Sequence, residues 1–229
     1  MIQKLDWDSA LFGYPVGKME LAKPKLFDSD EFKKTSLDFK LVYLFSKNPL
    51  LNLPEDFLFV DKKTFLTRKT EKTENEYSFS YVYPFEDLNA DILLNLTMIS
   101  GVYSRFNLDK NFTNNEYSKL YTTWINESVK RKVAKDIFIY KDGNDILGFI
   151  TLAEKNKHSN IGLIAVAEEA RGKGIGTVLI KYAIHNSFLA GYSDINVVTQ
   201  MNNVQSIQLY KQNGFRIADI SYVYHYWNK

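Results

Sequence analysis

AEEARGKGIGTVLIKYA, residues 167–183, sets Gly172, Gly174 and Gly176 at alternate positions behind Arg171 and then runs directly into a segment of helical apolar periodicity. Ile175, Val178, Leu179, Tyr182, Ala183 and Leu189 share one face of the helix expected over residues 177–189, and Gly191 marks its end. IGLIAVA, residues 161–167, reads as the strand that feeds the loop. Strand, glycine loop and helix in this order point to anion binding, and the register decides which anion. A P-loop requires G-x-x-x-x-G-K-[ST], whereas Lys173 here lies between the first two glycines. A dinucleotide fingerprint requires G-x-G-x-x-G, whereas the spacing here is G-x-G-x-G, and the next strand, INVVTQ at residues 195–200, lacks an acidic ribose ligand. What remains is the physics common to both: free backbone amides at the positive end of a helix, which suit a pyrophosphate spanning several N–H groups. Three glycines exceed what one tight turn requires.

The chain around this loop is that of a folded protein. Its 229 residues are 45% hydrophobic and 24% charged, enough for one large domain or two modest ones. Twenty-nine basic against 27 acidic side chains leave a formal charge of +2, which argues against a nucleic-acid partner that must be neutralised phosphate by phosphate. Without cysteine there is no disulfide framework, thiolate metal site or thiol nucleophile. His158, His185 and His225 have no metal-ligand spacing, so no metal is expected. The amino-terminal MIQKLDWDSALFGYPVG carries acids and Pro15 where a signal peptide needs an apolar core, and no run of eighteen apolar residues occurs. A cytoplasmic protein with no membrane partner is the expectation.

Two parts are expected. Residues 1–86 read as a smaller amino-terminal α+β domain, with short strands at LVYLF (41–45), FLFV (57–60) and SFSYVYP (78–84), and with Trp7 and Phe12 in its core. Residues 87–229 form the second domain. Leu88, Ile92, Leu96 and Ile99 predict a helix ending near Gly101, and Tyr117, Leu120, Tyr121, Trp124, Ile125 and Val129 predict another over residues 115–132. DIFIYKDGNDILGFITLAE then reads as a hairpin turning at Asp142-Gly143-Asn144. The order from residue 87 is helix, helix, three strands, glycine loop, helix, strand, helix, strand, the last strand being ISYVYHYW at residues 220–227.

A second block agrees with the loop. In VVTQMNNVQSIQLYKQNGF, residues 197–215, Asn203, Ser206 and Tyr210 stand at i, i+3 and i+7 on one helical face. Together the two blocks resemble the GNAT superfamily of N-acetyltransferases. Arg171, Gly174 and Gly176 match its [QR]-x-x-G-x-[GA] acyl-CoA loop, and Asn203, Ser206, Tyr210, Gly214 and Phe215 match its N-x-x-[AS]-x-x-x-Y stretch and GF step. GVYSRFNLDKNFTNNEYSKLYTTWINESV at residues 101–129, LDWDSALFGYPVG and the YVYHYW ending further resemble the dTDP-fucosamine N-acetyltransferase branch and related sugar-nucleotide N-acyltransferases.

The resemblance implies an α/β (α+β) GNAT fold: a mixed, mostly antiparallel sheet flanked by helices. It implies acetyl-CoA as co-substrate, held by Arg171, Gly172, Lys173, Gly174, Ile175, Gly176 and Thr177 of the loop, by backbone groups of Ile164, Ala165 and Val166, and by Asn203, Ser206 and Tyr210. A tyrosine of ordinary pKa about 10 can protonate a thiolate of about 8.5, which makes Tyr210 the general-acid candidate. Without a cysteine, direct attack in a ternary complex is favoured. Glu154, Glu168 and His225 stand as base candidates, beside a water chain. The acceptor is expected to be a nucleotide-linked aminosugar, met by Ser104, Arg105, Phe106, Asp109 and His225. Another amine or a non-catalytic acyl-CoA sensor are the alternatives, and YVYHYW is a candidate for pairing across the two-fold axis of a homodimer.

Overall fold

Seven strands and helices of the first part already lay down the frame on which the site is built. A computed structural model describes residues 1–21, 27–72 and 79–228. It opens with β1 (Gln3–Lys4), α1 (Asp6–Phe12), β2 (Val16–Leu21), α2 (Ser29–Thr35), β3 (Leu41–Ser46), β4 (Phe57–Lys69) and β5 (Val82–Pro84). There follow α3 (Asp91–Ser100), α4 (Arg105–Leu108), α5 (Glu116–Val129), β6 (Asp136–Asp142), β7 (Asp145–Lys155) and β8 (His158–Val166). The chain closes with α6 (Ile175–Leu189), β9 (Asp194–Gln200), α7 (Val204–Gln212) and β10 (Arg216–Trp227).

One ten-stranded sheet runs in the order β1-β2-β3-β10-β4-β9-β8-β7-β6-β5. Among the described residues only β2–β3 and β8–β9 pair in parallel. The mixed, mostly antiparallel sheet with flanking helices is the architecture expected from the sequence. The sheet is continuous across residue 86: β4 lies between β9 and β10, and β10 lies between β4 and β3. YVYHYW therefore has both edges hydrogen-bonded within its own chain, which overturns the idea that this strand pairs across a two-fold axis.

Several element boundaries shift for local reasons. The helix expected from residue 87 begins at Asp91, because Asp87 and Asn89 first turn the chain by accepting the Asn89 and Asp91 amides at 2.8 and 3.0 Å. Its buried face is Leu93, Leu96 and Thr97, while Leu88 and Ile92 are exposed. The strand expected over residues 78–84 is β5, three residues long, and Ser78 lies outside the described residues. α6 starts at Ile175, two residues before the expected position, and buries Leu179, Ile180, Ala183 and Ile184 against β7 and β8. Gly148 on β7 permits this approach: a Cβ there would stand 2.9 Å from the Ala165 carbonyl and 3.2 Å from Leu179 Cδ1. No helix among the described residues is long and apolar enough to cross a membrane.

Candidate active site

β8 and β9 pair over only three positions, Ser159 with Ile195, Asn160 with Asn196 and Ile161 with Val197, and then part. At the parting, β8 carries an irregularity against β7, where the Leu163 amide bonds the Thr151 hydroxyl at 2.8 Å instead of a backbone carbonyl. Gly162 makes room for it, since a Cβ would lie 2.8 Å from Thr151 Oγ1. The Leu163 amide turns to β7, and so does that of Ala167, which bonds the Leu147 carbonyl at 2.9 Å. Amides alternate sides along a strand, so those of Ile164 and Val166 face the opening that β9 has vacated. Of the three backbone positions expected from sequence, Ala165 instead turns its amide to β7.

On one side of the parting is a cleft of about 330 Å³, on the other a cavity of about 400 Å³. Ser100, Ile164, Asn203 and Ser206 line both, so the two spaces meet there.

The cleft is built on the glycine loop. Gly172 and Gly174 adopt φ of +77° and +80°, and a Cβ at either would have no neighbour within 4 Å; their requirement is conformational. Gly176 serves a different end: a Cβ would meet Leu209 Cδ2 of α7 at 3.1 Å, so it sets the contact between the two helices. α6 has no side-chain cap, and its first intrahelical bond runs from Val178 to the Gly174 carbonyl at 3.1 Å. The amides of Ile175, Gly176 and Thr177 therefore remain available at the positive helix end, in the geometry that accepts a pyrophosphate. Ile164, Ala165, Val166, Arg171, Gly172 and Gly174 line this cleft, as do Ile175, Gly176, Thr177, Asn203 and Ser206. Lys173 is exposed and does not line it.

Tyr210 lies across the parting, 3% exposed and lining the larger cavity. The GF step explains its position. Gly214, at φ +80°, sends its amide to the Lys211 carbonyl, and the Phe215 amide reaches the Tyr210 carbonyl, both at 3.0 Å. This is a Schellman cap, and its usual apolar contact is the Tyr210–Phe215 ring pair at 5.5 Å. Burial raises the Tyr210 pKa, so the hydroxyl keeps its proton through neutral pH. Asn203 caps the start of the same helix, Oδ1 accepting from the Ser206 amide at 3.1 Å.

The cavity collects residues that no sequence motif singled out. Asp8 and Trp7 come from α1, Asp61 and Lys63 from β4, and Tyr121 and Trp124 from α5, beside the expected Ser104, Arg105 and Phe106. Trp7, 49% exposed, is a cavity wall and not the core residue it was expected to be; Phe12 is buried, its ring near those of Phe106 and Phe112. Asp61 is 8% exposed, and burial pushes its carboxyl up to about 6 against the opposing pull of Arg105 and Lys63. Burial, and then Arg105, lower the Lys63 ammonium to about 8. An acid inside the apolar run FLFVDKKTFLT was the one available signal for Asp61.

Asp109 and His225 line neither space. His225 is 0% exposed and donates from Nδ1 to Asp109 Oδ2 at 2.6 Å; Trp227 Nε1 donates to the same oxygen at 2.9 Å. The Asn111 amide and side chain complete the carboxylate at 3.0 and 2.9 Å. This cluster ties β10 to the segment after α4, so these two residues, expected at the acceptor, hold strand to loop away from both spaces. Nor do the other expected bases reach the cavity: Glu154 is exposed and accepts from the Tyr192 hydroxyl at 2.6 Å, and Glu168 pairs with Arg171 at 3.7 Å. Among the described residues no three His, Asp or Glu side chains are grouped to hold a metal ion.

Residues 100–215 match the Acetyltransferase (GNAT) family, and the chain belongs to that family. The spore coat polysaccharide biosynthesis protein SpsD of Bacillus subtilis is 23% identical over 144 residues, 63% of this chain and 50% of that protein. A dTDP-fucosamine acetyltransferase of Escherichia coli is 28% identical over 106 residues, 45% of each chain. The matches thus span about half the length of these curated relatives. An acetyltransferase from the GNAT family of Colwellia psychrerythraea has a solved structure that aligns with a TM-score of 0.52 at 15% identity, over 91% of this chain and 73% of that one, which speaks for the fold alone.

The buried cluster makes stability pH-dependent. Burial lowers the His225 pKa to about 4, so between about 6.5 and 4 the unfolded chain binds a proton that the folded chain refuses. Burial pushes Asp109 up, but the hydrogen bonds from His225, the Asn111 amide and Trp227 outweigh it and hold the carboxyl below its usual range. Both effects act in one direction, and stability falls as pH falls. Urea denaturation between pH 7 and 4 is expected to show this loss, and His225→Leu to flatten the slope above pH 4; an unchanged slope would place the titration elsewhere.

Proposed function

We propose that the chain is an acetyl-CoA-dependent N-acetyltransferase that acylates the amine of a nucleotide-linked deoxyamino sugar by direct attack in a ternary complex. The observation that carries the reading is the meeting of two spaces at the β8–β9 parting, with the Ile164 and Val166 amides directed into the opening and the Tyr210 hydroxyl lining one side. Membership of the family and the sugar-related relatives support the donor and the acceptor class, respectively. A role in making a polysaccharide precursor follows from the same reading.

Acetyl-CoA supplies the activated acyl group. The loop amides and the α6 amino terminus hold its pyrophosphate, and the cleft leads the thioester to the parting. Asp61 takes the proton from the acceptor ammonium, its raised carboxyl being close enough to neutrality to do so reversibly. The Ile164 and Val166 amides meet the carbonyl oxygen as it gains charge, a contribution of about 3 kcal/mol per donor in comparable sites. Tyr210 gives its proton to the departing sulfur and takes in its place the proton that the nitrogen sheds as the amide forms.

Tyr210→Phe is expected to lose about 100-fold in kcat, a typical acid–base contribution, with acetyl-CoA binding retained; unchanged turnover would remove its acid role. In the wild type, kcat/KM should fall as pH drops through about 6, where Asp61 protonates. Asp61→Asn should lower the rate and abolish that limb, and a variant that keeps the limb would reassign the base. Thiol-release kinetics across dTDP-linked amino-deoxysugars, peptides and polyamines should favour the sugars. Equal rates across the panel would leave the family activity standing without the sugar assignment.

A further inference from the structure

The acceptor cavity is electrically uneven. Arg105 begins α4 behind its Ser104 cap, and its guanidinium stands 4.1 Å from the Tyr43 ring centroid, 4.6 Å from that of Phe106 and 5.5 Å from that of Phe45. These contacts hold the group, whose N–H donors make no hydrogen bond or ion pair to any described residue. Lys63 Nζ stands 5.7 Å from the same Phe45 ring and 5.1 Å from that of Phe65, likewise without an ion pair among the described residues. With Lys18 Nζ at 5.0 Å, itself ion-paired to Glu20, three cations converge on the Phe45 ring, and two of them lack an ion pair among the described residues. The nearby acids do not close on them: Asp8 takes the Tyr43 hydroxyl at 3.3 Å, and Asp61 lies in the cavity beyond ion-pair distance of either cation. Unpaired cations that are partly buried are costly, and a bound anion removes the cost.

The topology gives the distance. Phe45, Val223 and Asp61 lie in one row across β3, β10 and β4, and Lys63 pairs with Gln200 of β9. The Tyr43 and Phe45 rings that hold Arg105 therefore lie on β3, three strands from β9 and roughly 14 Å from it at the usual strand spacing, while Lys63 on β4 lies between them and the parting. An α-amino acid, whose carboxylate lies next to its amine, is too short to bridge the two ends.

We infer that Arg105 and Lys63 form a phosphoryl-binding subsite, and that the acceptor is an amine carrying a phosphate or diphosphate at the far end of a sugar-sized spacer. The inference rests on the acetyltransferase reading above and assigns the residues that hold the phosphoryl end of its acceptor. Arg105 presents the planar fork that matches two phosphate oxygens, and Lys63 adds a point charge.

The test is calorimetric binding of dTDP, which has the diphosphate and no amine, with CoA saturating the donor cleft. The wild type is expected to bind it, and Arg105→Gln and Lys63→Met each to weaken it by roughly 10-fold or more, the loss typical of a charge-assisted contact. CoA binding should change less than about two-fold, and circular dichroism guards against misfolding. No binding to the wild type, or equal binding to both folded variants, overturns the subsite. Turnover separates the two levels: if a non-nucleotide phosphorylated amine is acetylated and loses rate in Arg105→Gln, the subsite stands and the nucleotide-sugar reading falls. If free and phosphorylated aminosugars lose rate alike in that variant, Arg105 acts through the fold and the subsite falls.

Discussion

The structure depends on one local failure of pairing. β8 and β9 are neighbours for three residues and then separate, and the cleft and the cavity of the candidate site meet at that opening. A parted pair of parallel strands leaves inward amides without partners, which is ordinarily unfavourable inside a protein. Here the strands part where a ligand can take the place of the missing strand. Gly162 and Thr151 produce the separation by drawing the Leu163 amide out of the regular ladder. Helices α6 and α7 then bring the loop amides and Tyr210 to its two sides, their separation set by the contact of Gly176 with Leu209.

The two sides proposed for donor and acceptor are made differently. The donor cleft is backbone: a helix terminus, glycines at positive φ and strand amides, with few charged side chains. The acceptor cavity is side chain, and carries Asp8, Asp61, Lys63 and Arg105 together. A backbone site suits a ligand that does not change. Charged side chains grouped in a buried space discriminate among ligands by charge and distance, at the expense of desolvation. The aromatic floor of Tyr43, Phe45 and Phe106 positions the cations without neutralising them.

Legibility follows this division. The glycine loop, the Asn203–Ser206–Tyr210 face and the order of elements after residue 87 were readable because each depends on residues close in sequence, at spacings that backbone geometry imposes. Asp61 and Lys63 were not, because nothing local distinguishes a cavity acid or lysine in a strand from a solvated one. That Asp109 and His225 pair with each other, away from both spaces, was hidden for the same reason: a polar pair 116 residues apart has no periodicity.

What the sequence by itself determined is the glycine loop, its helix and the tyrosine before the GF step, since register excludes the other phosphate loops and a Schellman cap is written in adjacent residues. Only the tertiary structure decided that the sheet crosses the expected boundary, that β4 and β10 enter between the parts, and that an acid and a lysine from β4 face an arginine from α4. Strand order in a sheet is set by which apolar faces bury together across the whole chain, a non-local sum that no short window of residues contains.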